Sequence, residues 1–229
     1  VTADRDTGFC VALVDADAER TFVSTLGAEG VADPDVLRKV DATDSDVVYA
    51  SGYSLYHETT SAPLLRWMSE LPAGATVVFD ASPLIGDVRT EVLAEMVPLV
   101  SIWTLNEREA LVLSDRLVGG TADGLSARAV AVRLRDALEA TVLVRTGSQG
   151  CWVAAVDDDP VLVPADDVVA VDTNGAGDAH TGYLCAELSR GVALTDAVRR
   201  GNAAAAIAIT RRGPATAPTN AEIDRLLPR

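Results

Sequence analysis

The chain has 229 residues, of which 48% are hydrophobic, 23% charged and only 4% aromatic, a composition typical of one globular α/β domain. The formal net charge of −15 excludes binding to nucleic acid or to an anionic membrane through a general basic surface. An anionic ligand therefore has to be held by helix N-termini, backbone amides or a metal ion.

Three cysteines, Cys10, Cys151 and Cys185, form no CxxC pair and leave an odd number. This usage argues against a disulfide framework and predicts a reducing, cytoplasmic location. The apolar runs are shorter than the roughly 18 residues that span a bilayer, so no membrane partner is expected. The sequence starts at Val1 and a strand pattern begins almost at once, so we expect that a natural N-terminal segment is missing from this numbering.

The chain opens with two strand patterns, at residues 9–14 and 20–24. The acidic run between them, residues 15–19, is typical of a hairpin connection. We expect this pair to lie outside the main sheet, as part of a small β lid over residues 5–26. Asp33-Pro34 then predicts a helix start, with Asp as N-cap and Pro at the first helical position.

Strand and helix patterns alternate in the middle of the chain. The predicted strands cover residues 47–51, 76–80, 101–105 and 141–146. The predicted helices cover residues 61–71 and 90–97, a short stretch from Glu107, and residues 126–139. This order of short apolar strands and helices predicts a three-layer αβα fold with a mostly parallel central sheet.

The alternation ends after residue 146. A tight connection and an acidic turn separate three further strand patterns, at residues 151–156, 161–164 and 168–171. These predict an antiparallel edge to the sheet. Three helices are predicted after them, over residues 175–190, 195–210 and 220–227. Since no linker or repeat divides this stretch, we assign residues 27–229 to one α/β core that binds nucleotide and substrate.

The most informative run is Asp172-Thr173-Asn174-Gly175-Ala176-Gly177-Asp178, which follows a predicted strand and opens a long helix. Gly175 and Gly177 allow the backbone to pass close to a ligand. Their amides and that of Ala176 are unpaired donors at a helix N-terminus, which is a ready anion site.

Asp178 is unexpected beside an anion site, because its carboxylate repels the ligand that the amides attract. Side chains lean toward the helix N-terminus, so Asp178 should face the bound anion. The repulsion is tolerable if Asp178 accepts the proton of a hydroxyl group that attacks the anion. Glycine amides for a phosphate and Asp for an alcohol together describe phosphoryl transfer. The alternative is a tight glycine turn followed by an Asp that only stabilises the first helical turn.

Two common nucleotide motifs do not fit the sequence. A dinucleotide fingerprint requires a third glycine where His180 stands, and it requires a further strand where only helices are predicted. The pattern GxxxxGK[ST] occurs nowhere, which excludes a P-loop. Phosphoryl transfer would therefore proceed without a Walker lysine.

At these residues the sequence resembles the ribokinase-like (PfkB) family of carbohydrate kinases. Residues 172–178 match the family signature DTxGAGD at every specified position. Weaker matches follow in the family order along nearly the whole chain. They are Thr7-Gly8 and Gly27-Ala28 of the lid, Asp80-Ala81-Ser82-Pro83 at the substrate cleft, Asn106-Glu107-Arg108-Glu109, Thr146-Gly147-Ser148-Gln149-Gly150, Asn202 with the alanines that follow it, and Gly213-Pro214-Ala215.

The resemblance implies an ATP- and Mg²⁺-dependent kinase that phosphorylates a hydroxyl group of a small sugar or nucleoside. Asp178 would be the general base, and the amides of Gly175, Ala176 and Gly177 would hold the transferring phosphoryl group. The lids of the family often pair, which implies a homodimer.

The resemblance also assigns the remaining site residues by position. Thr146, Gly147 and Gly150 would border the nucleotide, and Asn202 would lie near the adenine. Asn106 and Glu109 would organise Mg²⁺ through water. Asp172 and the Asn174 carbonyl occupy the positions that serve K⁺ in many relatives.

The sequence departs from the family at its start, because the first strand and the Gly-Gly segment with the main sugar contacts are absent before Thr7. Alternatives therefore stay open. The chain could be a non-catalytic protein that binds nucleotide or sugar, an adenosine-type nucleoside kinase, or a fragment that folds only with a partner chain.

Several residues also have a purely structural interpretation. Asn106 and Glu109 could form a helix capping box. His180 and the three tryptophans, Trp67, Trp103 and Trp152, are expected to pack in the interior or, for His180, to face solvent. Asp80 could be an ordinary loop residue.

Overall fold

The computed structural model describes residues 6–14 and 20–227 of the chain. Strands β1 (Cys10–Val14) and β2 (Arg20–Ser24) form a separate antiparallel two-stranded sheet, with Val11 opposite Val23. The small sheet predicted at the start of the chain is therefore confirmed, and its role as a lid stays a prediction. The predicted connection at residues 15–19 lies outside the described residues.

The second sheet has six strands in the order in which the chain reaches them. They are β3 (Val47–Ser51), β4 (Thr76–Asp80), β5 (Ile102–Asn106), β6 (Thr141–Arg145), β7 (Cys151–Ala154) and β8 (Val161–Val163). Strands β3 to β6 are parallel, and β7 and β8 are antiparallel to their neighbours. The carboxyl ends of the four parallel strands meet at one edge, where open α/β sheets bind ligands.

Eight α-helices surround the sheet in the described part of the chain. They are α1 (Pro34–Leu37), α2 (Glu58–Ser69), α3 (Thr90–Met96), α4 (Glu107–Val118), α5 (Ala127–Leu138), α6 (Ala176–Leu188), α7 (Leu194–Ile209) and α8 (Asn220–Leu226). The predicted N-cap Asp33 accepts a hydrogen bond from the amide of Asp35. Helix α4 runs for three turns, longer than the short helix expected there.

Side chains that alternate along the strands pack into two different layers. Phe79 and Trp103 lie on one side, with their ring centroids 4.9 Å apart, within the core that α2 to α5 cover. Val78 and Leu143 point to the other side and pack with Leu184 of α6. Burial of each such side chain contributes about 1.5–3 kcal/mol. The three-layer arrangement and the interior position of Trp103 confirm the prediction.

The strand predicted at residues 168–171 is wrong. The amides of Val171 and Asp172 instead donate to the carbonyl of Ile209, at 2.7 and 3.1 Å. The segment thus crosses the C-terminal end of α7 and satisfies a carbonyl that the helix leaves unpaired. Val169 is 85% exposed, because this β-branched run has no neighbouring strand to pack on.

No helix between residues 20 and 227 is both long enough and apolar enough to cross a bilayer.

Candidate active site

A cavity of about 590 Å³ lies at the carboxyl edge of the sheet, between the ends of β5 and β6, the start of α6 and the face of α7. Its volume is within the usual range of small-molecule sites. Six predicted site residues from separate stretches of the chain line this cavity. They are Asn106, Gly147, Gly150, Ala176, Gly177 and Asn202.

The loop from Thr146 to Gly150 forms one wall of the cavity. The amide and the hydroxyl group of Thr146 both donate to the Gly150 carbonyl, at 2.7 and 2.9 Å. Gly150 has φ +110°, and a Cβ there would lie 2.1 Å from the Val163 carbonyl oxygen. Only glycine fits this turn against β8. Thr146 is buried behind the wall that Gly147 and Gly150 form.

The start of α6 forms the neighbouring wall. Its N-cap, Gly175, has φ +77°, and a Cβ there would lie 2.1 Å from the Pro214 carbonyl oxygen. The Ala176 amide is 3.4 Å from the Thr173 carbonyl, a long hydrogen bond. First-turn amides have no carbonyl four residues earlier in the helix, and the helix dipole favours negative charge there. The Ala176 amide, predicted to be unpaired, thus already has a weak partner within the chain, and the anion site stays a prediction.

Asp172 ties this loop to the C-terminal end of the chain. Its two carboxylate oxygens accept hydrogen bonds from the amides of Asn174 and Gly213, both at 3.0 Å. The stretches around residues 174 and 213, which are separate matches in the sequence, are therefore joined in the structure. The roles of Asp172 and Asn174 at a K⁺ ion stay predictions.

Asp178 is exposed in the first turn of α6 and does not belong to the cavity wall. Burial, with the carboxylates of Asp80 and Asp178, raises the pKa of Tyr49 to about 12. Burial and the Asp178 charge likewise raise the pKa of Tyr53. Tyr49 lies on β3 and Tyr53 in the 3-10 turn that follows it. The charge of Asp178 is thus felt by Tyr49 and Tyr53 near the end of β3, whereas its neighbours Ala176 and Gly177 line the cavity.

Asn106 and Glu109 form the capping box at the start of α4. The Asn106 side chain accepts from the Glu109 amide at 2.9 Å, and Glu109 accepts from the Asn106 amide at 2.8 Å. Burial raises the pKa of Glu109, and the hydrogen bond to Asn106 and the charge of Arg145 oppose this. The structural interpretation is therefore correct, and the metal role stays a prediction.

Asn202 lies on α7 and lines the cavity, but both of its amide hydrogen bonds fix the end of β8. Nδ2 donates to the carbonyls of Val163 and Pro164, at 2.9 and 3.2 Å. This residue therefore shapes the cavity through the backbone that it holds. Its predicted position near an adenine ring is not tested by these contacts.

Sequence reasoning missed Arg145, the last residue of β6. Its guanidinium binds both oxygens of Asp80, at 2.9 and 3.3 Å, and donates to the Thr181 hydroxyl at 3.1 Å. Glu109 lies 3.7 Å from Nη2. Burial disfavours the charge, but the carboxylates outweigh it and raise the pKa of Arg145. The sequence feature that could have identified Arg145 is a charged residue at the end of a buried strand, directly before a glycine loop.

His180 is an interior residue, as one of its two interpretations predicted, and is only 2% exposed. Burial, together with the charge of Arg145, lowers its pKa to about 3. Neither ring nitrogen has a hydrogen-bond partner in residues 6–14 and 20–227. The imidazole is therefore neutral at physiological pH and packs beside the cavity.

Comparison with known proteins gives consistent matches. The family model of pfkB family carbohydrate kinases matches residues 1–221. The uncharacterised sugar kinase YegV of Escherichia coli is 34% identical over 223 residues, which cover 96% of this chain and 67% of that protein. Adenosine kinase of Saccharomyces cerevisiae is 29% identical, over 93% of this chain and 64% of its own length. The chain thus spans about two thirds of these curated relatives.

A crystal structure of ribokinase from Thermotoga maritima superposes with a TM-score of 0.79 at 24% identity. The match covers 98% of this chain and 71% of that one. This similarity confirms the predicted αβα fold.

Proposed function

Because the chain belongs to the pfkB family of carbohydrate kinases, we propose that its site transfers the γ-phosphoryl group of ATP to a hydroxyl group of a small sugar or nucleoside. One observation carries the proposal. Ala176 and Gly177 at the start of α6 line a cavity of nucleotide size, and the exposed Asp178 directly follows them in the same helical turn. An acceptor on the Asp178 side and a nucleotide on the cavity side would then meet at the first-turn amides.

In the proposed step, Asp178 accepts the proton of the acceptor hydroxyl group as its oxygen attacks the γ-phosphorus. A new O–P bond forms, the bond from that phosphorus to the bridging β–γ oxygen breaks, and ADP leaves. The amides of Gly175, Ala176 and Gly177 would donate to the phosphoryl oxygens, where negative charge is spread in the transition state. General base catalysis of this kind contributes roughly 10²–10⁴ in rate.

The acceptor class rests on the relatives. One is described as a sugar kinase and another as an adenosine kinase, so we include both acceptor types. Among solved structures, a nucleoside kinase of Burkholderia thailandensis is in complex with inosine, at a TM-score of 0.74 and 21% identity. These proteins share the fold, and the acceptor of this chain is therefore proposed only as a polyhydroxylated sugar or nucleoside.

Mg²⁺ would be held near Asn106 and Glu109. Each of these residues uses a side-chain oxygen in the capping box, which suits contact to the ion through water more than a direct cage. No three His, Cys, Asp or Glu side chains converge among the described residues, which also favours water-mediated binding. When bound, the ion would offset charge on the β- and γ-phosphates. K⁺ beside Asp172 and Asn174 is part of the same proposal.

The proposed partners are ATP and the acceptor, in a reducing cytoplasm, and a second copy of the chain. Phe9, Leu13 and Phe22 of the β1–β2 hairpin are each more than half exposed. An exposed apolar hairpin of this kind favours pairing of two lids.

The test starts with a screen of the full-length protein for ADP release over sugars and nucleosides. Asp178→Asn should then lower kcat about 10²–10⁴-fold and retain binding of a non-hydrolysable ATP analogue. Asp196→Asn is the matched control, because Asp196 is an exposed Asp in the first turn of α7. Nucleotide binding without ADP release from any acceptor would favour the non-catalytic alternative. Normal turnover of Asp178→Asn would remove Asp178 from the reaction.

A further inference from the structure

Arg145 lies where the nucleotide-binding elements of the site converge. It ends β6, it precedes the Thr146–Gly150 loop, and it is one of the residues that line the cavity. A Cβ on Gly177 would lie 3.3 Å from Nη1, so the guanidinium occupies the space beside the first turn of α6. A cationic group therefore lies next to the predicted anion site.

The guanidinium is fixed in place. Asp80 on β4 binds it through both oxygens, and Thr181 on α6 accepts a third hydrogen bond. These three bonds leave two of the five N–H groups of an arginine without a hydrogen-bond acceptor among residues 6–14 and 20–227. The Glu109 carboxylate, at 3.7 Å from Nη2, is beyond hydrogen-bond distance. The group is thus held rigidly with donors to spare, which is how fixed charges stabilise a ligand.

The charge of the cavity points to the same residue. The chain carries a net charge of −15, and Asp166 and Asp167 also line the cavity. Of the cavity-lining residues in the described part of the chain, Arg145 alone is cationic at neutral pH. A triphosphate has several negative charges, and a planar guanidinium is well suited to phosphate oxygens.

Asp80 explains how this charge can be kept beneath the site before a nucleotide binds. The Arg145 side chain is only 15% exposed, and a buried charge without a partner is strongly destabilising. Asp80 supplies that partner through both of its carboxylate oxygens. Asp80 and Glu109 therefore keep the Arg145 guanidinium charged at the cavity wall without requiring a bound anion.

We propose that Arg145 is a phosphate-binding residue of this site and contacts the terminal phosphate groups of the bound nucleotide. The inference rests on the proposed kinase function and extends it, since it gives the site a cationic side chain in addition to the backbone amides. It assigns a direct role to a residue that the signature motif does not contain.

The test measures how much the terminal phosphates contribute to binding. Affinities of AMP and of a non-hydrolysable ATP analogue are determined by calorimetry for the full-length protein, with Mg²⁺ and with EDTA. In Arg145→Met the preference for the triphosphate should fall about 10- to 100-fold, with AMP binding little changed. Arg145→Lys should lose less, because it keeps a charge. The loss should persist in EDTA, which separates it from an effect through metal-binding residues.

Arg200→Met is the matched control, because it removes a guanidinium from another partly buried ion cluster, with Glu187 and Asp224. It should leave the preference unchanged. Arg145→Met also leaves Asp80 unpaired, so the double variant Asp80→Asn/Arg145→Met, which removes both charges, is measured as well. It should show the same fall in preference.

Equal weakening of AMP and the ATP analogue in the Arg145 variants would assign Arg145 a structural role only and overturn the inference. An unchanged preference would overturn it too. If the unmodified protein binds neither nucleotide, the proposed kinase function fails and this inference fails with it.

Discussion

His180 combines complete burial with two ring nitrogens that have no hydrogen-bond partner among the described residues. An unpaired buried polar group of this kind costs about 1–3 kcal/mol. Its lowered pKa, about 3, means that folding excludes a proton that the unfolded chain accepts below about pH 6.5. This single residue therefore makes the stability of the fold depend on pH.

We predict that His180→Phe reduces the acid sensitivity of folding. Between about pH 6.5 and 3 the unfolded chain binds one more proton at this site, so the free energy of unfolding falls by up to about 1.4 kcal/mol for each pH unit of acidification. Urea unfolding at several pH values from 4.5 to 7.5 measures this slope. The variant should show a shallower slope, and His57→Phe, at the other histidine, should keep it. Parallel slopes in all three proteins would contradict the prediction.

Single site residues were predictable from sequence only where they lie in a local motif. Residues 175–178 are contiguous, so the glycines, the helix start and the Asp carboxylate could be recognised as one motif. Arg145 was not predictable in this way, because its partners Asp80 and Thr181 are 65 and 36 residues away in the chain. The pairing of β4 with β5 and of β5 with β6 brings Asp80 to Arg145, and the packing of α6 on the sheet adds Thr181.

At the scale of elements, the caps that end strands and begin helices also build the site. Asn106 ends β5, caps α4 and lines the cavity, so the same residue serves stability and the proposed metal site. Ser126 caps α5 in the same way, accepting from the Ala129 amide at 3.3 Å, and does not line the cavity. The two caps allow the two roles of Asn106 to be separated.

We predict that Asn106→Ala and Ser126→Ala each lower the free energy of unfolding by about 1 kcal/mol, since each removes an N-cap. Asn106→Ser should keep the cap and therefore the stability. Both Asn106 variants should reduce turnover roughly tenfold or more at limiting Mg²⁺, as loss of outer ligands does in other metal sites. Denaturant unfolding and kcat measured against Mg²⁺ concentration check these outcomes. Full turnover in Asn106→Ser would show that the residue is only a cap.

The elements themselves were largely predictable. Strands β3 and β4 coincide with the predicted ranges, because short apolar runs bounded by turn residues are typical of buried parallel strands. The segment at residues 168–171 was mispredicted, because its valines suggest a strand and its actual partner is the end of α7. Local propensity indicates an extended backbone there but not what it pairs with.

At the scale of the whole molecule, the acidic charge opposes the approach of the proposed nucleotide. A net charge of −15 repels an anionic ligand over distances set by the ionic strength, whereas the proposed contacts with the amides and Arg145 would attract it only at close range. The screening length falls from about 30 Å at 0.01 M salt to about 8 Å at 0.15 M. Added salt should therefore weaken the long-range repulsion of the nucleotide more than the short-range attraction.

We predict that the association rate constant of a fluorescent ATP analogue rises a few-fold between about 0.01 and 0.15 M salt. Stopped-flow mixing measures it directly. Binding of uncharged adenosine should be insensitive to salt over the same range. A rate that falls with added salt would mean that local positive groups already dominate the approach path.

The hydrogen bond from the Gly213 amide to Asp172 and the close approach of Gly175 to Pro214 join two stretches that lie about 40 residues apart in the chain. These contacts fix the position of each stretch relative to the other. A chimera that received only the glycine-rich helix start from a related enzyme would pack it against a segment around residues 213–214 that did not evolve with it. Exchange of catalytic properties between such proteins therefore requires that both segments are transferred together.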